Sequence, residues 1–429
     1  MSKIHISFLG VNNYYECNYF HKKKENIVKE VRFVQEATIQ LFCRDFGAAD
    51  RIIVFVTEAA KHKNWYDDGH STREGTVINQ EGLERRLQRL NLSARYEMIE
   101  IKEGTDEDEI WSIFQKIYDQ IQSGDEVTLD ITYGFRSLPM LGIVLIHYAK
   151  MLKNIRIKAV AYGAFEALFK TGKRINQIPL EERNVPILNL TSFAMLQQWT
   201  NAARDFTLHG KAAKIAELTK QETFGEALEN MTLSFSTVRG REIVEGNIFS
   251  IVKNNIEQLQ DKPFVAPLSP LLEKVKQKIT PFQSNDIQNG LLAVQWCIRH
   301  ELIQQGITML LEVITTFTCE ILNLEDASFN LNHFETNDRW FVGTCLVIND
   351  NLPEVKWGKP IRYDKPKARK IRASQIVEDI KSHYQKLGKM RNDINHGGFN
   401  ANPLPPRDFK NELERIYVEV NRILGQFNV

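Results

Sequence analysis

Cysteine is scarce and unpatterned: the 429 residues hold five, at Cys17, Cys43, Cys297, Cys319 and Cys345, with no Cys-x-x-Cys pair among them. An odd, scattered set suggests neither a disulfide framework nor a thiolate zinc site, and points to reduced structural thiols. No apolar run approaches the roughly 18 residues that a membrane span needs, and the stretch from Met1 to Gly10 enters a strand-like pattern with no hydrophobic signal segment. The expected location is the cytoplasm, with no membrane partner. Net charge is nearly absent too, since 55 basic and 54 acidic residues leave +1. Any contact with nucleic acid must therefore come from local clustering rather than from an overall basic field. There is no fixed-period repeat and no low-complexity tract.

What is present is a globular composition, 43% hydrophobic and 25% charged, on a chain longer than one hydrophobic core usually supports. The first half alternates β-branched runs with helical stretches. Strands are expected at Ile4 to Leu9, Arg51 to Thr57, Ala94 to Ile101, Glu126 to Ile131 and Ile155 to Tyr162, with helices near residues 27–46, 81–90, 107–121 and 137–152. That alternation is the sign of βαβ units feeding a parallel sheet, an α/β Rossmann-like domain over residues 1–180. Beyond about Pro179 the strand signal fades and 3.6-residue periodicity takes over at 192–217, 287–322, 371–394 and 409–427, which predicts an all-α domain over residues 181–429. Loops are expected around 261–270 and 349–370.

Open sheets of this kind bind ligands beyond the carboxyl ends of their strands. The turns to search are Gly10-Val11-Asn12-Asn13-Tyr14, Thr57-Glu58-Ala59-Ala60 and Thr132-Tyr133-Gly134-Phe135-Arg136-Ser137. In the last, a turn at Gly134 brings backbone amides and a helix N-terminus toward a phosphate, with Thr132 and Ser137 hydroxyls as donors and Arg136 as a guanidinium fork. An ordinary strand-to-helix turn, capped by Ser137 and with Arg136 solvated, reads equally well from the spacing.

The segment Asp130-Ile131-Thr132-Tyr133-Gly134-Phe135-Arg136 resembles the Asp-x-Thr-His-Gly-Phe-Arg signature of CARF domains in type III CRISPR-associated effectors. Phe8-Leu9-Gly10 followed by Asn13-Tyr14 resembles the first ligand-facing turn of that family. Tyr133 stands where the family has His, which bears on ligand preference and on whether the domain also degrades its ligand. The resemblance implies a homodimer that binds a cyclic oligoadenylate as allosteric activator, on a two-fold axis between the turns at Asn12, Thr57 and Thr132 of each subunit. The resemblance of the Asp-x-Thr-x-Gly-Phe-Arg turn implies cyclic tetra-adenylate as the expected ring.

In the second half the chemical signal is Arg391-Asn392-Asp393-Ile394-Asn395-His396-Gly397-Gly398. Imidazole suits proton exchange near neutral pH, and a guanidinium suits the charge that develops on a phosphate, a division of labour that requires no metal. The stripe Val377, Ile380, Tyr384, Leu387, Arg391, Ile394 sets Arg391 on the apolar side of its helix, where it needs a partner, a ligand or a wet interface. A salt-bridged Arg with an unrelated His at a helix end before a Gly cap is the ordinary alternative. Arg204 and His209 share the Arg-x4-His spacing, but the polar neighbours and Gly pair favour Arg391 and His396.

The favoured segment resembles the Arg-Asn-x-x-x-His motif of HEPN ribonucleases. About 100° per residue sets Arg391 and His396 roughly 140° apart on an ideal helix, and the resemblance implies a composite cleft across a dimer. It thus implies a CARF–HEPN endoribonuclease of single-stranded RNA, with Arg391 and His396 catalytic, Asn392 and Asn395 positioning them, and no cofactor for the chemistry. A non-catalytic nucleotide-sensing regulator, or a CARF unit that degrades its own activator, remains the alternative. The basic stretch from Lys356 to Lys370, with Trp357 and Tyr363 interleaved, suits either single-stranded RNA or a plain solvated loop.

Overall fold

The structure, a computed structural model, describes residues 2–22, 26–132, 138–219, 223–260, 269–324 and 338–427. The chain divides into two compact units, Met1–Gln197 and Gln198–Val429.

The first unit is built on an eight-stranded sheet. Its strands are β1 (Lys3–Leu9), β2 (Cys17–His21), β3 (Ile27–Val31), β4 (Arg51–Val56), β7 (Arg95–Glu100), β8 (Glu126–Asp130), β9 (Arg156–Gly163) and β10 (Asn184–Asn189); β5 (His70–Ser71) and β6 (Val77–Ile78) form a separate two-stranded ribbon. The order is β3-β2-β10-β9-β8-β1-β4-β7, with β9, β8, β1, β4 and β7 mutually parallel. Strands covered on both faces need apolar side chains on both. Ile4, Ile6, Phe8, Phe55 and Leu129 pack with residues of helices Glu107–Gln120 and Leu138–Lys153, while Leu9, Ile52, Val54 and Val56 pack with Phe33, Ile39, Leu83 and Leu87.

Two expectations change here. Residues 27–46 are not one helix: Ile27–Val31 pairs antiparallel with β2, and the helix is only Val34–Phe42, entered where the Glu36 carboxylate accepts from the Arg32 and Phe33 amides. The sheet also continues past 180, because Val185 and Ile187 bury their side chains and β10 pairs with both β9 and β2. The division accordingly falls at residues 197 and 198.

Gly163, at the end of β9, occupies a position where a Cβ would lie 2.7 Å from Val34 Cγ2 and 3.4 Å from both the Thr132 methyl and the Tyr19 ring. Gly163→Ala is expected to lower stability by about 1–3 kcal/mol through overpacking, read as a fall in the thermal midpoint.

The second unit is helical in its described residues. Helix Ile303–Ile321 is its centre and contacts Gln288–Arg299, Asp338–Val347, Gln375–Asn395 and Asp408–Leu424. Aromatic stacking of Phe235 on Trp296 and of Phe249 on Phe282, at 4.8 and 4.0 Å between centroids, fills the other end of the core. The expected helix 287–322 is broken at residues 300–302: Glu301 adopts φ +59°, and the Leu302 amide turns back to Cys297 O. All five cysteines are buried and free, and burial pushes the Cys297, Cys319 and Cys345 thiols up to about 12.

The basic stretch 356–370 is not a loop of free cations. Trp357 is buried and donates to Leu352 O, Ile361 is buried, and Lys365–Arg372 is a helix capped by Asp364. Arg369 pairs with Glu354 and Arg372 with Asp350. Of the two aromatics only Tyr363 faces solvent. The apolar Trp357 and Ile361 pull the segment into the core, a signal outweighed in the sequence by the surrounding lysines.

Candidate functional site

In the first unit, β1 lies between β8 and β4 in parallel register, Leu9 opposite Val56 and Ile6 opposite Leu129. The turns that follow these strands therefore share one edge of the sheet. Asn12 and Asn13 are exposed there, and Gly10 is partly so. Tyr14 is buried, its ring edge-on to Phe33 at 5.6 Å, so it is placed under the turn rather than in it. Thr57 caps the short helix after β4 by accepting from the Ala60 amide, and Glu58 is exposed.

Thr132 is committed inward: its hydroxyl donates to Asp130 Oδ1 at 2.6 Å and accepts from the Gly163 amide at 2.8 Å. It is thus not the spare phosphate donor that the turn suggested. The buried Asp130 carboxyl also accepts from the Thr132 amide and the Thr38 hydroxyl, bonds that oppose the upward push of burial on its pKa. Tyr133, Gly134, Phe135, Arg136 and Ser137 lie outside the described residues.

Sequence reasoning missed what holds the first turn. Asn64, fully buried in the π-turn Lys61–Trp65, donates from Nδ2 to Gly10 O at 2.9 Å and Asn12 O at 2.8 Å. Its Oδ1 accepts from Arg32 at 3.5 Å and lies 3.0 Å from His70 Nε2. Arg32, itself buried, donates to Tyr14 O, Glu81 O and Asn13 Oδ1. Burial first, then the Arg32 and Lys63 charges, lower the pKa of His70, which favours a neutral ring beside this cation.

In the second unit Arg391, Asn392 and Asn395 lie on the last two turns of Gln375–Asn395, and His396 is its C-cap. The helix forms because Ile376, Val377, Ile380, Leu387 and Met390 bury one stripe. It stops because Gly397 and Gly398 take φ +64° and +75°, and the Gly398 amide returns to Asp393 O. Arg391 is partly exposed, with Nη2 3.3 Å from Asn392 Oδ1. Asn395 is exposed and accepts from Gln304 at 3.1 Å. His396 is exposed and lines a cavity of about 540 Å³ with Lys386, Lys389, Asn392 and Asp393.

Arg391 is not among the residues that line that cavity. Asp393 is the residue this region was not expected to depend on: its buried carboxylate accepts from Asn400 Nδ2 and from the Leu404 amide, and ties the following turn to the helix. Arg204 and His209 are both exposed on helix Thr191–His209.

Residues 4–166 match the family model described as the CARF domain of the CRISPR system endoribonuclease Csx1. That match covers most of the first unit. The CRISPR-associated protein MJ1674 of Methanocaldococcus jannaschii is 23% identical over 306 residues, 69% of this chain and 41% of that protein. The chain thus spans about two fifths of that relative's length. A solved structure, Enterococcus italicus Csm6 bound to cyclic hexa-2'-fluoro-hexa-dAMP, aligns over 99% of this chain and 94% of its own at 11% identity and a TM-score of 0.47. The matched residues contain every described residue of the three strand-end turns together with Asn64 and Arg32, whereas Arg391 to His396 lies outside them.

Proposed function

We propose that the chain is an endoribonuclease of type III CRISPR antiviral defence, switched on by a cyclic oligoadenylate and acting on single-stranded RNA in the cytoplasm. The observation that carries this reading is an exposed imidazole, His396, in a groove with lysines, on the helical unit that follows a CARF domain. The matched family's description itself names an endoribonuclease.

In this reading the ligand sits across a two-fold axis at the strand ends, near Asn12, Asn13 and Thr57. The second copy covers the apolar stripe of helix Leu138–Lys153, where Met140, Val144, Tyr148 and Met151 are all exposed at helical spacing. An apolar face of that size is costly in water, and it begins where the Thr132 turn ends, so one pairing would both bury it and complete the ligand site.

In the helical unit, two Arg391–His396 pairs face one cleft. One imidazole takes the proton of a ribose 2′-hydroxyl, whose oxygen attacks the neighbouring phosphorus. The second imidazole gives a proton to the departing 5′-oxygen, and the Arg391 guanidinium balances the charge on the phosphoryl oxygens. The products are a 2′,3′-cyclic phosphate and a 5′-hydroxyl, and no metal enters any step. Asn392 and Asn395 position the pair.

The test is cleavage of a labelled single-stranded RNA in EDTA, with no activator, cyclic tetra-adenylate or cyclic hexa-adenylate. Cleavage triggered by the tetra-adenylate is the expected result. Silence under every condition would leave a non-catalytic sensor, and loss of the added ring during incubation would assign ligand degradation to the CARF unit.

A further inference from the structure

The groove beside His396 holds a residue that the proposed reaction does not use. Phe399 is 94% exposed and lines the same cavity as His396, Lys389 and Asn402. A single exposed apolar side chain is ordinary, but this one sits on a turn held from four directions. Its amide donates to His396 O at 3.1 Å, and the Gly398 amide donates to Asp393 O at 3.0 Å. The Asp393 carboxylate accepts from Asn400 Nδ2 and from the Leu404 amide at 2.7 Å. The ring lies beside Gly397, whose φ of +64° turns the chain there.

The consequence is an aromatic side chain carried on a held turn three residues from the imidazole and open to solvent, although Pro403 and Leu404 form an apolar wall in the same cavity. The cations around it are not equivalent. Lys386 is paired with Glu412, which also holds Arg415, whereas Lys389 is exposed and has no charged partner among the described residues. One open aromatic face, one available ammonium and one imidazole in one groove match the base, phosphate and ribose of a single-stranded nucleotide.

We propose that Phe399 is the stacking platform for a nucleobase next to the scissile phosphate, with Lys389 carrying the neighbouring phosphate. The inference rests on the ribonuclease reading and adds the subsite that fixes the register of the strand over His396. Stacking is tolerant of base identity, so the platform favours single strands over duplex without demanding one sequence.

The experiment uses the full chain carrying His396→Ala, so that bound RNA survives, with cyclic tetra-adenylate present and 2-aminopurine placed successively along a short single-stranded RNA. Quenching at one position is expected, and Phe399→Ala should remove it and weaken binding roughly tenfold or more, while Phe399→Trp retains both. Lys389→Ala should weaken binding and reduce the salt dependence by about one phosphate contact. In the chain with His396 intact, Phe399→Ala should raise KM more than it lowers kcat. Unchanged quenching and affinity in Phe399→Ala would overturn the platform while leaving the ribonuclease reading in place. A Phe399→Ala chain that sediments as a smaller species would make the ring a subunit contact instead. Absence of RNA binding by the His396→Ala chain itself, with or without activator, would overturn the ribonuclease reading and this inference with it.

Discussion

His396→Ala is expected to reduce activator-dependent RNA cleavage by about 10²–10⁴-fold, the range that a positioned general acid–base supplies, while leaving the fold and activator binding intact. The separation follows from where the residue sits. His396 is an exposed C-cap, and the turn beyond it is held by Asp393 and the two glycines rather than by the imidazole. Alanine there removes chemistry without opening a cavity, so the unfolding free energy should change by no more than the roughly 0.5 kcal/mol typical of surface changes. Arg391→Ala should produce a comparable loss, and Arg391→Lys should recover only part of it, because an ammonium keeps the charge but not the planar fork. Arg204→Ala is the matched control and should cleave at the wild-type rate. Rates are read in single turnover with EDTA present. Full activity in His396→Ala would move the chemistry away from this helix end, and loss of activity in Arg204→Ala alone would move it to the rival segment.

The parts of this arrangement that the sequence disclosed are those written in contiguous residues. The runs at β1, β4, β7, β8 and β9 are apolar on both faces or alternate cleanly, and their parallel order follows from the helices between them. The hairpin of β2 and β3 was hidden because Ile27, Val28 and Val31 also fit a helical face running on into Val34–Phe42, and only pairing with Cys17–His21 decides between them. The break at Glu301 carries neither glycine nor proline, so periodicity ran through it. At the sites, the pairing of Arg391 with His396, which stand in one short segment, was open to proposal from the sequence. Asn64 was not: its work is done on the carbonyls of residues 10 and 12, more than fifty positions away, and a buried asparagine in a basic turn has no pattern of its own. Asp393 was read only as a polar neighbour of the motif, because its partners Asn400 and Leu404 come together only once the two glycines have turned the chain.

Asn64→Ala tests whether that hidden contact governs the switch, and the expected result is a rise of about thirtyfold in the activator concentration for half-maximal cleavage. The rate at saturating activator should be unchanged. Truncation deletes two hydrogen bonds from a fully buried amide to the backbone of the Gly10–Tyr14 turn, and Gly10 O and Asn12 O lose their donor. At about 1 kcal/mol net for each neutral bond, the loss is about 2 kcal/mol, and about 1.4 kcal/mol corresponds to each tenfold in affinity. The cost falls on binding because the turn then samples conformations that the ligand must select against. Arg32 still holds Tyr14 O, Glu81 O and Asn13 Oδ1, so the turn is loosened rather than released. Direct titration of cyclic tetra-adenylate by calorimetry, beside the cleavage curve and a thermal melt, separates the outcomes. A matching shift in both binding and activation places the ligand on this turn. A lowered melting temperature with unchanged activator response would make Asn64 a purely structural peg and move the ligand toward the turns after β4 and β8.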